Sequence, residues 1–92
     1  MKVVYKYKLE LESSGIASVF SIDSEAQILS VQRQFKDVVL WALVEKNPKF
    51  VTRRDFVFVA TGQEIPDTVS YLATLQSFGG DIITHVFEVK VK

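Results

Sequence analysis

The chain has 92 residues, 48% of them hydrophobic, and its eleven lysines and arginines balance eleven aspartates and glutamates. This length predicts one domain spanning residues 1–92, and a net charge of zero argues against nucleic acid as a partner. The sequence contains no cysteine, which excludes disulfides and thiolate metal sites.

The first predicted strand runs from Val3 to Glu12, where apolar and polar residues alternate. A turn at Gly15 leads into a shorter strand, Ile16 to Ile22, and we expect the two strands to form an N-terminal hairpin. Three lysines of the first strand form a basic strip of the kind that protects an edge strand from aggregation: Lys2, Lys6 and Lys8.

We expect the run from Ile28 to Val44 to form the centre of the fold. It is interpreted as two strands joined by a short polar turn at Lys36-Asp37. The second strand is apolar on both faces, with Leu40 on one face and Trp41 on the other. A strand without a polar face belongs in the middle of a sheet, so we expect Trp41 in the core, and the alternative is a stacking platform for a ligand.

The segment Val51–Ala60 is again apolar on both faces, and we expect it beside the Trp41 strand. The connection Thr61–Asp67 is the longest irregular segment, which makes it a place to look for function. Tyr71–Phe78 is interpreted as a strand, although its leucines are also spaced for one side of a helix.

The C-terminal part of the sequence predicts a turn at Gly79-Gly80-Asp81 and a final strand, Ile82–Val91. The sequence therefore predicts about seven strands joined by short connections. This pattern favours an all-β fold, either a small antiparallel β-sandwich or an open barrel.

His85 is the only histidine, and it shares a predicted strand face with Ile83 and Phe87. We favour a structural, hydrogen-bonded role for it, ahead of ligand contact and then catalysis. A lone histidine cannot complete a zinc site without other strong ligands, and no motif supplies a nucleophile and the third member of a triad. The sequence thus predicts no metal, no cofactor and no catalytic residue.

Arg53 and Arg54 are adjacent at the start of a predicted strand, so their side chains should point to opposite faces. One of them could clamp a phosphate or a carboxylate, and the alternative is a solvated strand end. Together with three other residues they form our set of candidate ligand-binding residues: Arg53, Arg54, Tyr71, Gln76 and His85.

Several sequence blocks follow one another in a distinctive order. They are Tyr5-Lys6-Tyr7, ILSVQ from Ile28, LWALV from Leu40, Thr61-Gly62 followed by Ile65-Pro66, the run from Tyr71 to Gln76, and Gly79-Gly80 leading to His85-Val86-Phe87-Glu88. This order and spacing resemble a family of short proteins of unknown function encoded by tailed bacteriophages and prophages. The chain departs from that family in its extended 46–54 turn and in Ala73, where glycine is usual.

The resemblance implies a phage accessory protein in the cytoplasm of the bacterial host, and it carries over no catalytic residue. Our first hypothesis is a non-enzymatic protein that binds and inhibits a host or defence component, either a protein or a nucleotide-type small molecule. The alternatives are a minor virion structural or assembly protein and a small hydrolase that uses His85 with loop carboxylates.

Trapping a small molecule would take place at an oligomer interface, because a sandwich of this size leaves little interior volume for a pocket. We therefore expect a homo-oligomer. No apolar run is long enough for a signal peptide or a membrane-spanning helix, so we expect a cytoplasmic protein without a membrane partner.

Overall fold

The computed structural model describes residues 1–76 and 82–90, and within them the chain forms seven β-strands. These are β1 (Lys2–Leu9), β2 (Ile16–Asp23), β3 (Gln27–Gln34), β4 (Asp37–Glu45), β5 (Val51–Ala60), β6 (Val69–Gln76) and β7 (Ile83–Val89). The all-β prediction is confirmed, and the ambiguous segment from Tyr71 is a strand as far as Gln76. Phe78, the predicted Gly79-Gly80-Asp81 turn and Val91 lie outside the described residues.

The strands form two antiparallel sheets that pack as a β-sandwich. Sheet A has the strand order β1-β4-β3, and sheet B has the order β2-β5-β7-β6. Across the sandwich β1 lies near β2, and β3 lies near β6. The largest fully buried side chains are Phe56, Ile22, Leu40 and Val86, which come from both sheets. Their burial is the main stabilising contribution to the fold.

Two of the predicted strand neighbours are wrong. The first two strands do not form a hairpin, because β1 pairs with β4 in sheet A and β2 pairs with β5 in sheet B. The strand β5 lies between β2 and β7, and not beside the Trp41 strand. Alternation predicts which side chains face the core, but it cannot predict which of two sheets a strand joins.

The central place of β4 is confirmed, since it lies between β1 and β3. Leu40 and Ala42 face the core and are fully buried. Trp41 points to the other face, which is turned away from sheet B, and it is half-buried there. The expectation that Trp41 lies in the core is therefore wrong, because only one face of sheet A is covered by sheet B.

The hairpin between β3 and β4 turns one residue earlier than predicted. Gln34 pairs with Asp37, so the loop consists of Phe35 and Lys36. Phe35 is 95% exposed and has a φ of 57°, a backbone conformation that bulky residues rarely adopt.

The described part of the chain offers no helix that could serve as a membrane span.

Candidate functional site

The outer face of sheet B, which is turned away from sheet A, carries four of the five candidate residues, three of them on β6 and β7. On β7 the fully buried Val86 faces the core, so its neighbours His85 and Phe87 point outward. On β6 the residues opposite these two are Thr74 and Tyr71, and Gln76 lies opposite Ile83. The prediction that His85 shares a strand face with Ile83 and Phe87 is confirmed, and this face is the outer surface of the sandwich. His85 is half-buried there.

His85 is the centre of a chain of side-chain hydrogen bonds. Its Nε2 lies 2.8 Å from the hydroxyl of Thr61, and its Nδ1 lies 3.0 Å from the hydroxyl of Thr74. The Thr74 hydroxyl lies in turn 2.8 Å from the hydroxyl of Tyr71. A hydroxyl can both donate and accept, so a neutral imidazole can be satisfied in either tautomer. This arrangement fixes the ring plane of His85.

Tyr71 is held at two points although its side chain is 59% exposed. Its hydroxyl is bonded to Thr74, and its ring meets that of Phe87 edge to face at a centroid distance of 5.6 Å and an interplanar angle of 73°. Edge-to-face contacts of this kind are favourable for aromatic rings. Tyr71 therefore presents a large side chain to solvent in a fixed position.

Arg54 lies elsewhere and is already bound within the protein. Its Nε and Nη2 donate to the two carboxylate oxygens of Glu88 at 2.5 and 2.8 Å, and its Nη1 donates to the Ala26 carbonyl oxygen at 2.6 Å. Both charged side chains are only 17% exposed. A bidentate pair in this geometry occupies the guanidinium fork, so an incoming anion would first have to displace Glu88.

Arg53 points to the opposite face, as the sequence predicts, and its Nε lies 3.2 Å from a carboxylate oxygen of Asp55. Asp55 also accepts a hydrogen bond of 2.6 Å from the Ser18 hydroxyl. Both arginines border a shallow cleft of about 340 Å³ between the ends of β5 and β7. The structure therefore separates the candidate residues into an arginine cleft and a Tyr71–His85 cluster.

The Thr61–Asp67 connection contributes one residue to the cluster, Thr61. It begins with a turn in which Gly62 has a φ of 90°, and the Gln63 amide donates to the Ala60 carbonyl oxygen. The Gln63 side chain accepts from the Ala60 amide in return. These two bonds hold the start of the connection against the end of β5, which positions Thr61 beside His85.

Among the described residues no group of three or more histidine, cysteine, aspartate or glutamate side chains could hold a metal ion. The His85 ring contacts hydroxyls on both sides, and these are weaker metal ligands than imidazole or carboxylate. The cluster is a set of hydroxyl and imidazole groups beside the rings of Tyr71 and Phe87.

Residues 1–92 match the family model of a domain of unknown function, DUF7352. The chain belongs to this family. No curated protein and no solved structure matches it. The description of DUF7352 names neither an activity nor a source, so the phage origin remains a prediction from the sequence blocks.

Sequence reasoning missed two members of the cluster in this DUF7352 domain, Thr61 and Thr74. Simple alternation puts Tyr71 and Thr74 on opposite faces of β6, because they are three positions apart. The pairing of β6 shifts between Tyr71 and Ala73, so one extra residue lies between them and both point outward. A bulge of this kind leaves no clear signal in the sequence.

Proposed function

We propose that this DUF7352 domain is a non-enzymatic binding protein that inhibits a bacterial host or defence protein by covering part of its surface. The observation that carries the proposal is the position of Tyr71, exposed on the outer face of sheet B and held by Thr74 and Phe87. The bacterial setting of the target rests on the sequence resemblance alone.

A fixed aromatic side chain suits a binding surface for a thermodynamic reason. Tyrosine is enriched among the few residues that dominate interface energies, and an exposed side chain normally loses rotamer freedom on binding. Tyr71 has already lost most of that freedom in the unbound protein. The adjacent hydroxyl and imidazole groups would supply hydrogen bonds at the edge of the contact.

A protein partner fits these features better than a nucleotide-type molecule. A nucleotide needs cationic groups for its phosphates, and both candidate arginines are paired within the chain, Arg54 with Glu88 and Arg53 with Asp55. The Tyr71–His85 cluster lies on the outer face of a sheet, and not in the arginine cleft. An exposed sheet face of this kind is suited to contact with the surface of another protein.

A hydrolase would use the same cluster in a different way. The 2.8 Å separation of Thr61 Oγ1 and His85 Nε2 is within the reach of a nucleophile and its base. In hydrolases with a Ser-His-Asp triad a carboxylate orients the base, and here the Thr74 hydroxyl occupies that position at His85 Nδ1. A hydroxyl does not stabilise an imidazolium as a carboxylate does, and this supports the binding function.

The test begins with the tagged protein as bait in a bacterial lysate, followed by purification of the captured protein and calorimetric titration. We expect Tyr71→Ala to weaken binding by about 30-fold, which is the effect of losing an interface anchor of about 2 kcal/mol. Tyr71→Phe keeps the aromatic ring and should therefore lose less affinity than Tyr71→Ala. Phe35→Ala is the matched control, because it truncates an exposed aromatic side chain in the β3–β4 loop, far along the chain from Tyr71, and it should leave the affinity unchanged.

Two results would contradict the proposal. One is an affinity for the captured protein that Tyr71→Ala leaves unchanged. The other is native mass spectrometry in which the purified protein retains a nucleotide-sized ligand that blocks capture of the protein partner.

A further inference from the structure

The strand β1 has an unusual free edge. In the described part of the chain β1 pairs only with β4, and its register runs without a break from Lys2 opposite Glu45 to Leu9 opposite Val38. A regular, unpaired strand edge is a template for another extended chain.

The other three edge strands are all interrupted. The pairing of β2 shifts between Val19 and Ile22, that of β3 between Ile28 and Ser30, and that of β6 between Tyr71 and Ala73. In each case the extra residue lies on the edge strand itself. Bulges of this kind twist an edge and block the addition of a further strand. Only β1 among the described edge strands has no such interruption.

The register also identifies which backbone groups of β1 point outward. The Lys46 amide donates to the Met1 carbonyl oxygen at 2.9 Å, so this pair is hydrogen-bonded. Such pairs alternate along an antiparallel ladder, and the inward groups of β1 therefore belong to Val3, Tyr5, Tyr7 and Leu9. The amides and carbonyls at Lys2, Val4, Lys6 and Lys8 point outward and can receive a strand.

The two faces beside this edge differ in chemistry. The outward backbone groups belong to residues whose side chains lie on the outer face of sheet A, and three of these four are exposed lysines. Lys6 donates to the Gln34 side chain, and Lys8 lies 3.7 Å from Asp37, but exposed contacts of this kind are weak and an acidic partner residue can replace them.

On the other side Tyr5, which is 50% exposed, and Tyr7 border a cleft of about 130 Å³ with Val51. Burial raises the pKa of Tyr7, followed by the effects of Tyr5 and Asp23, so the Tyr7 hydroxyl stays neutral at pH 7. The charged residues Asp23, Glu45 and Lys46 also line this cleft.

We propose that the β1 edge binds an extended segment of a partner protein in which acidic residues alternate with apolar residues. The backbone of that segment would pair with Val4 and its neighbours, its acidic side chains would lie beside the lysines, and its apolar side chains would enter the Tyr5–Tyr7 cleft. This is strand addition, in which main-chain bonds supply affinity and side-chain pockets supply specificity.

The lysines of β1 make a second copy of the chain a poorer occupant of this edge than an acidic partner segment. Antiparallel pairing of two β1 strands about Tyr5 gives the longest overlap, and it places Lys2 of one copy opposite Lys8 of the other. Like charges directly opposite each other destabilise a strand pair. The β1 edge is also separate from Tyr71, so this inference does not depend on the proposed function.

The experiment uses the full protein and a capped octapeptide of alternating glutamate and valine, followed by amide NMR and hydrogen exchange. We expect shifts centred on β1 and about tenfold slower exchange of the Val4 and Lys6 amides at saturating peptide. Val4→Pro removes one outward amide without breaking the β1–β4 ladder, and it should weaken binding about tenfold.

Two further variants complete the design. Arg33→Pro removes an amide at the opposite edge of sheet A and should leave the affinity unchanged. The backbone groups of Gln34 face Asp37 of β4, so the amide of the neighbouring Arg33 points away from β4 and its loss does not break the ladder. Lys6→Glu should weaken binding of this peptide and strengthen binding of a lysine–valine peptide, whatever the effect of proline on folding.

Three outcomes would overturn the inference. They are shifts that map to another strand, equal binding of the two peptides by the unaltered protein, and an affinity that neither Val4→Pro nor Lys6→Glu changes. Protection of the same amides that grows with protein concentration in the absence of peptide would make a second copy the occupant, and would also overturn it.

Discussion

At the scale of single residues, Arg54 is a candidate ligand-binding residue in the sequence, whereas in the structure it is paired with Glu88. Arg54 shares a face of β5 with the buried Phe56, and Glu88 lies opposite Phe56 on β7. Both charges therefore point toward the interior, where Arg54 also reaches the Ala26 carbonyl between β2 and β3. The guanidinium joins three segments of the chain and so has a structural role.

Removing one partner of this pair should be costly. We expect Arg54→Ala to lower the free energy of unfolding by about 3 kcal/mol, because Glu88 would be left charged and mostly buried without a partner. Urea unfolding followed by circular dichroism measures the effect.

Arg53→Ala is the matched control for this prediction. Arg53 is 61% exposed and pairs with Asp55 near solvent, so its removal should cost less than about 1 kcal/mol. Equal losses in the two variants would contradict a structural role specific to Arg54. Replacing Arg54 and Glu88 together with leucines should recover part of the loss, since no charge is then left unpaired.

At the scale of elements, the β3–β4 hairpin carries local strain in its loop. Phe35 has a positive φ without the freedom of glycine, and its side chain is too exposed to gain packing energy in return. Strain of this kind costs on the order of 1–3 kcal/mol when the surrounding structure imposes it. Here the pairing of Gln34 with Asp37 closes the loop and imposes the conformation.

Phe35→Gly should therefore stabilise the protein, by about 1 kcal/mol after the greater flexibility of glycine in the unfolded chain is subtracted. The measurement is the urea midpoint at an unchanged m value. Gly62 provides the reverse control, because its φ of 90° is already occupied by glycine and Gly62→Ala should destabilise. A lower midpoint for Phe35→Gly would show that the phenylalanine side chain stabilises the hairpin.

At the scale of the whole molecule, Asp23 connects the two sheets. It ends β2 in sheet B, and its Oδ2 accepts a hydrogen bond of 2.8 Å from the amide of Glu45, the last residue of β4 in sheet A. Its Oδ1 accepts a bond of 3.0 Å from the Glu25 amide. These bonds, the one from Glu45 first, hold the pKa of Asp23 below its ordinary value of 3.8.

The lowered pKa of Asp23 predicts a specific acid response. A carboxylate whose pKa is lower in the folded state stabilises the fold above its ordinary value, and this stabilisation is lost as the pH falls through the folded value. We expect Asp23→Asn to have a lower free energy of unfolding than the unaltered protein at pH 7. This difference in free energy should shrink as the pH falls below 3.8, the ordinary pKa of an aspartate.

Unfolding titrations of both proteins between neutral and acidic pH measure this difference. Glu25→Gln, a change of the same charge on an exposed neighbour, should leave the pH profile unaltered. A difference that stays constant with pH would show that the Asp23 charge does not contribute to the stability of the fold.

The order of residues alone predicts the strands of this DUF7352 domain and most of their inward faces. Alternation predicted most of the seven strands and the opposite directions of Arg53 and Arg54, because side-chain direction along a strand depends only on local periodicity. The two apolar faces of β4 predicted its central place. The strip of lysines also identified β1 as an edge strand. These features need no knowledge of distant contacts.

The neighbours of each strand and the contacts of the candidate residues depend on how the two sheets pack. The assignment of β1 and β2 to different sheets, the bulge that joins Tyr71 to Thr74 and the pairing of Arg54 with Glu88 all depend on residues far apart in the chain. Periodicity repeats every two residues and carries no information about register or partner. The site therefore followed from packing between strands, whereas the strands themselves followed from the order of residues.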